Sequence, residues 1–443
     1  MEARDLIVTP ILLIVIAVLA YIIRPRVTDP TTRVYFFPAL AVKIIGALAV
    51  GFIYQFYYEG GDTFNYHTHG SRHIWEAFMD SPAKGVRLLL NDGETYHDVY
   101  KYASKIIFFS DPHSYAIVKI AAVFDLFTFS SYSSTAVLFA VVSFVGMWMF
   151  FLTFYEQYPR LHKKLAIAAF FIPSVFFWGS GLLKDTITIA CLGVATYQIY
   201  RTFIRKRFGI WHLILLTVSL YGMYNIKIYI LLTFLPAAII WLFLANLESI
   251  RSVVLKIMLA PFMLTAAITL GYFAMMKAGE DNSKYSLKKV AMTAKITAYD
   301  IGFYTGRDAG SGYALGELDG TLTSMFRLAP QAIVVSLFRP YLWEVKNPLM
   351  LLSAVESFFL LFLTGYIIIK SNLRLFAALS NASVLFSLVF SIVFAFAVGV
   401  STFNFGTLVR YKIPLIPFYL LALILLMHYP KSERKLDELE STE

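Results

Sequence analysis

Apolar runs long enough to cross a bilayer recur from one end of this chain to the other, and they require it to fold in lipid. A spanning helix needs about 20 apolar residues. Runs near or above that length occupy residues 6–23, 35–57, 134–155, 165–178, 185–203, 210–225, 228–245, 253–276, 348–369, 376–399 and 412–428. The expected fold is an all-α polytopic membrane bundle of about eleven spans, with 1–443 as a single integral membrane domain. The run 6–23 lacks a basic start and a small-residue cleavage site, so it reads as a permanent span and not a signal peptide. Only 15% of residues are charged, and the 17% aromatic content suits interfacial belts. The net charge of +10 flanks the spans, which sets orientation and gives no reason to expect a nucleic-acid partner. Cys191 is the only cysteine, which excludes an internal disulfide and thiolate metal sites.

Two apolar stretches, 114–129 and 329–342, are shorter or interrupted, and the basic residues decide whether they cross. If neither crosses, one face collects Arg24, Arg26 and Arg33, then Arg160, Lys163 and Lys164, then Arg201, Arg205, Lys206 and Arg207. Arg251, Lys370, Arg374 and the tail 429–443, with Lys431, Arg434 and Lys435, fall on the same face. That is a positive-inside pattern, with the N-terminus outside and the tail cytoplasmic. The expected location is a bacterial inner (cytoplasmic) membrane. The two short stretches become interfacial helices on the outer face. The outer face then carries a first loop, 58–133, with juxtamembrane helices, and a second loop, 277–347. It also carries the junctions 179–185, 225–227 and 400–411.

The outer face holds the residues with chemistry. Asp62 follows the 35–57 run on a Gly60-Gly61 turn, where a carboxylate can take a proton from an acceptor hydroxyl or hold a divalent metal that does so. Read blandly, it is a solvated turn residue. Glu59 is its weaker neighbour. His67, His69 and His73 have H-x-H-x3-H spacing, which fits a metal or, more simply, a polar surface helix. Lys184, Lys227, Arg339 and Arg410, the last beside Tyr411 and Lys412, are not needed on this face for orientation. They suit a lipid-linked phosphate, or else snorkel to headgroups. Glu356 lies within a span, should face the bundle interior and should pair with a Lys or Arg. Asp125 reads as solvated, and Lys43 and Lys256 as snorkelling.

Three segments carry a resemblance. They are Gly61-Asp62-Thr63-Phe64-Asn65-Tyr66-His67, the stretch from Asp111-Pro112-His113-Ser114-Tyr115 to Ser133, and the Pro-containing turn Ile172-Pro173 to Lys184-Asp185. Over residues 35–205 the chain resembles the GT-C superfamily of integral membrane glycosyltransferases, especially the bacterial relatives of protein O-mannosyltransferases and lipid A aminoarabinose transferases. It departs from them in its extra N-terminal span and in lacking an Asp-Glu pair at Asp62. The resemblance implies a polyprenyl-phosphate sugar donor and a lipid, glycan or protein acceptor, with Asp62 as catalytic base and Asp111 in the second juxtamembrane segment. Lys184, Lys227 and Arg410 are candidates for the phosphate. The third segment is also similar to membrane polysaccharide polymerases, so an O-antigen-type polymerase or ligase is the alternative. A transporter or flippase is the remaining one, although no internal repeat supports it.

Overall fold

A computed structural model of the protein describes residues 2–91, 93, 97–247, 265, 269, 289–301, 303, 311–371 and 378–440. The described secondary structure is helical, with one isolated bridge between Gly312 and Asn404. Among the described residues, seven helices are long and apolar enough to cross a membrane. The count is up to eight if Phe405–Tyr411 and Leu415–His428, bent by 67°, form one broken span. The chain is thus a multi-pass helical membrane protein by length and composition.

The count falls below the expected eleven for local reasons. The run 165–178 is two short helices, His162–Phe170 and Pro173–Trp178, because Pro173 lacks an amide donor and holds Ile172 in extended geometry. The runs 210–225 and 228–245 belong to one stretch, Ile210–Leu247, broken only at Lys227 (φ −145°, ψ 78°). Its 38 residues would make about 57 Å of unbroken helix, nearly twice a hydrocarbon core, and the break at Lys227 divides them. The expected run 253–276, with Lys256, falls almost wholly outside the described residues. Neither Pro112–Thr128 nor Ala329–Phe338 counts as a crossing.

Two compact units divide the chain. The first is Met1–Gln198 with Ile210–Lys227. Its first span, Ala3–Val27, is apolar on nearly every side and exposes Leu6, Ile11, Ile14 and Val18, as a lipid-facing helix does. It docks by a polar stripe: Asp5 accepts from the Ser131 hydroxyl at 2.8 Å, and Thr9 meets Ser134 at 3.0 Å. The second span, Arg33–Phe56, and the third, Tyr132–Tyr155, bracket the long loop 58–133. That loop is packed and largely helical. Tyr66, Ile74, Tyr115 and Ile117 from the loop share a buried cluster with Val50 and Tyr54 of the second span.

The second unit is Ile199–Gly209 with Ile228–Glu443. Its core is aromatic. Trp241 stacks on Phe386 at 4.5 Å, and Phe390 packs against Phe418 at 4.6 Å. Leu415–Glu440 carries the last apolar segment into the tail.

Candidate functional site

The site in the first unit begins where the second span ends. Glu59, Gly60 and Gly61 have φ of 54°, 142° and 113°, so the chain turns through three successive left-handed residues. Two glycines make this possible, since an added Cβ costs energy in that region. The Gly61 carbonyl accepts from the Phe64 and Asn65 amides at 3.1 and 3.0 Å, opening the short helix Asp62–Tyr66. Asp62 is therefore the first residue of a helix immediately beyond a span, and half-buried. Glu59 stays exposed on the turn.

Asp111 caps the helix Pro112–Thr128, accepting from the His113 amide at 3.2 Å and from the Ser114 hydroxyl. Burial raises its pKa. The Ser114 hydroxyl, the Lys184 charge and the His113 amide outweigh burial and hold the carboxyl below its ordinary value. Lys184 opens the span Lys184–Ile204, with its Nζ 3.6 Å from Asp111. It also lies in the electrostatic field of Lys227 and Asp62. Lys227 occupies the break in Ile210–Leu247 and donates to Asp185, which is wholly buried. His113 Nδ1 meets the Asn225 carbonyl at 2.5 Å, tying the loop helix to the same break. Two helix starts and one helix break thus converge, and they bring Lys184, Lys227, Asp111 and Asp185 together, with Lys184 within the electrostatic reach of Asp62.

The turn leading into Lys184 is braced from within the membrane. Lys43 of the second span is fully buried, and its Nζ donates to the Gly179 carbonyl at 3.0 Å and the Val175 carbonyl at 3.4 Å. Ser143 donates to the same Gly179 carbonyl at 2.5 Å. This corrects the snorkelling expected of Lys43: the carbonyls at the C-terminal end of Pro173–Trp178 attract the ammonium more strongly than a distant headgroup. Asp125 also departs from expectation. It is buried, not solvated, and accepts from Ser71 and Thr135 at 2.6 Å each, with His67 Nε2 at 3.4 Å.

The proposed histidine metal cluster does not assemble. His67 is enclosed beside Asp125, His73 faces Glu76 at 3.0 Å, and His69 is exposed. Among the described residues, no three of His, Cys, Asp and Glu are arranged to hold an ion.

The remaining candidates belong to the second unit. Arg339 makes a two-pronged pair with Glu344, its Nε at 3.0 Å, and faces the rings of Phe405, Tyr341 and Tyr313 at 5.1, 5.7 and 5.8 Å. Lys412 is buried and donates to the Ser357 hydroxyl at 2.9 Å and the Arg339 carbonyl at 3.2 Å. Glu356 is buried in the field of Lys412, the kind of partner expected for it. Arg410 and Tyr411 end the helix Phe405–Tyr411, both half-buried.

Sequence reasoning missed Asp185 as the partner of Lys227. Its one signal was adjacency to Lys184 after a Gly-Ser-Gly turn. No family model, curated protein or solved structure matches the chain.

Proposed function

We propose that this protein is a membrane glycosyltransferase that moves a sugar from a polyprenyl-phosphate donor to a hydroxyl of a lipid, glycan or protein acceptor at the outer face of a bacterial inner membrane. The observation that carries this reading is the placing of a helix-opening carboxylate, Asp62, in the field of a lysine, Lys184, that is only loosely paired. Transfer needs both groups. Asp62 takes the acceptor's proton as its oxygen attacks the anomeric carbon. The bond from that carbon to the phosphate oxygen breaks, and the electron pair leaves with polyprenyl phosphate. Lys184 meets the charge that develops there.

The pairings suit those roles. Asp111 keeps the Ser114 hydroxyl and the His113 amide if Lys184 turns to a phosphate, so releasing the lysine leaves no orphaned carboxylate. Lys227 and Asp185 are almost closed from solvent and hold the junction in shape.

The test is transfer from a polyprenyl-phosphate sugar by purified protein. Asp62→Asn should keep the fold and lower turnover by about 10²–10⁴-fold. Lys184→Met should lower it with normal thermal stability. Near-normal turnover by Asp62→Asn, with loss in Lys184→Met, would move the reading to an O-antigen-type polymerase or ligase.

A further inference from the structure

We propose that the first unit holds a separate small site, between its first two spans and the outer loop, that binds one neutral sugar ring. The ring's role as part of the acceptor rests on the transferase reading, whereas its binding does not.

A cavity of about 210 Å³ is lined by Glu2, Asp5, Phe64, Thr68, Arg72 and Tyr132. Leu48 and Phe52 supply an apolar side. At about 30 Å³ per water, the space equals some seven waters. It is smaller than the roughly 300 Å³ at which drug-sized pockets begin. The size suits a single ring better than a nucleotide or an extended glycan.

The polar groups define the chemistry. Asp5 is 6% exposed. Its Oδ1 accepts from the Ser131 hydroxyl at 2.8 Å and the Ser133 amide at 3.1 Å, and its Oδ2 accepts from the Glu2 amide at 2.9 Å. A carboxylate offers about four acceptor positions, so one on Oδ2 remains. Arg72 Nη1 donates to Glu2 at 2.6 Å, while its Nε is buried with no hydrogen-bond partner among the described residues. Asp5 and Arg72, both on the cavity lining, thus each carry an unfilled hydrogen-bonding position. Neighbouring hydroxyls of a sugar satisfy both, since each hydroxyl donates and accepts.

Charge excludes the obvious rivals. Arg4 reaches Glu2 from beyond the cavity at 3.8 Å. Glu2 and Asp5 are thus matched by Arg4 and Arg72, leaving no surplus of either sign for a phosphate or an ammonium headgroup. Phe64 and Tyr132, which stack at 4.7 Å and 25°, put aromatic surface on the lining for the C–H groups of a ring. The exposed apolar side of the first span would keep an attached lipid in the membrane.

The experiment uses the full chain in nanodiscs and saturation-transfer NMR with methyl hexosides, methyl phosphate and methylammonium as probes. At least one hexoside should give ring-proton signals at millimolar concentration. Thr68→Trp, at a half-buried position, fills the cavity, leaves all four charges and should abolish them. Arg72→Gln and Asp5→Asn should weaken binding by about tenfold or more. Should Asp5→Asn not fold, Thr68→Trp with an unchanged melting temperature decides. Silence from every hexoside, binding unmoved by Thr68→Trp, or tighter binding of methyl phosphate or methylammonium overturns the proposal. Sugar binding without transfer would keep this site and dismiss the transferase. Transfer without sugar binding would do the reverse.

Discussion

Lys184 and Lys227 are the same residue type held in opposite ways. Lys184 keeps 18% of its side chain exposed and sits 3.6 Å from its carboxylate, whereas Lys227 is closed against a carboxylate with no exposure at all. The loose pair can exchange partners, and the tight one cannot without stranding a buried charge. Asp111, on the loose side, gives a pH test. Its folded pKa lies below the ordinary 3.8, so it adds stability above that value and loses it as pH falls through the lower folded value. The melting-temperature gap between wild type and Asp111→Asn should be open at about pH 6 and close below about pH 4. A gap constant with pH would show that the carboxylate charge adds nothing. Asp62, Lys184 and Lys227 were legible in the sequence as polar residues at span ends, and Asp111 only through the resemblance. Their pairing was not, because it depends on which helix ends meet. Asp125 was misread for the same reason: its partners Ser71 and Thr135 lie on other elements.

At the scale of elements, glycine sets how closely two spans of the first unit approach. A Cβ on Gly193 would lie 2.1 Å from the Gly146 carbonyl oxygen, and one on Gly146 would lie 2.4 Å from that of Ala190. Backbone therefore packs on backbone, as small residues allow between helices in lipid. Gly193→Leu must force the helices apart, and overpacking of this kind costs about 1–3 kcal/mol or more. Its melting temperature in detergent should fall well below wild type. Gly365→Leu, where nothing lies within 4 Å of the added carbon, should change little. Equal melting points would mean that the contact bears no load. Span existence was readable from apolar length alone. Span continuity was legible only in part: the break at Lys227 falls in the expected 225–227 junction, whereas Pro173 splits one expected helix.

For the whole molecule, the distribution of Lys and Arg makes a directional claim that accessibility labelling tests. With Cys191→Ser as background, cysteine at exposed Lys101 should react with an impermeant maleimide in intact cells. Cysteine at exposed Lys163 should react only after lysis. The opposite pattern would invert the orientation and remove Asp62 from the outer face. The helical, multi-pass character was legible because it follows from hydrophobic length. The division into two units was not, since both are built from the same kind of apolar run.

Lys43 gives the protein an order of manufacture. Its two carbonyl partners are made 132 and 136 residues later. Until then the second span carries an unanswered ammonium, at about 2.5–3.5 kcal/mol on insertion scales. The newly threaded helix should therefore linger at the insertion machinery until the chain has grown past Gly179. Ribosome-stalled chains ending near residue 160 should leave the second span extractable by alkali, and chains ending near residue 220 should retain it. Lys43→Met should be retained at both lengths, and equal extraction of wild type at the two lengths would rule out the delay.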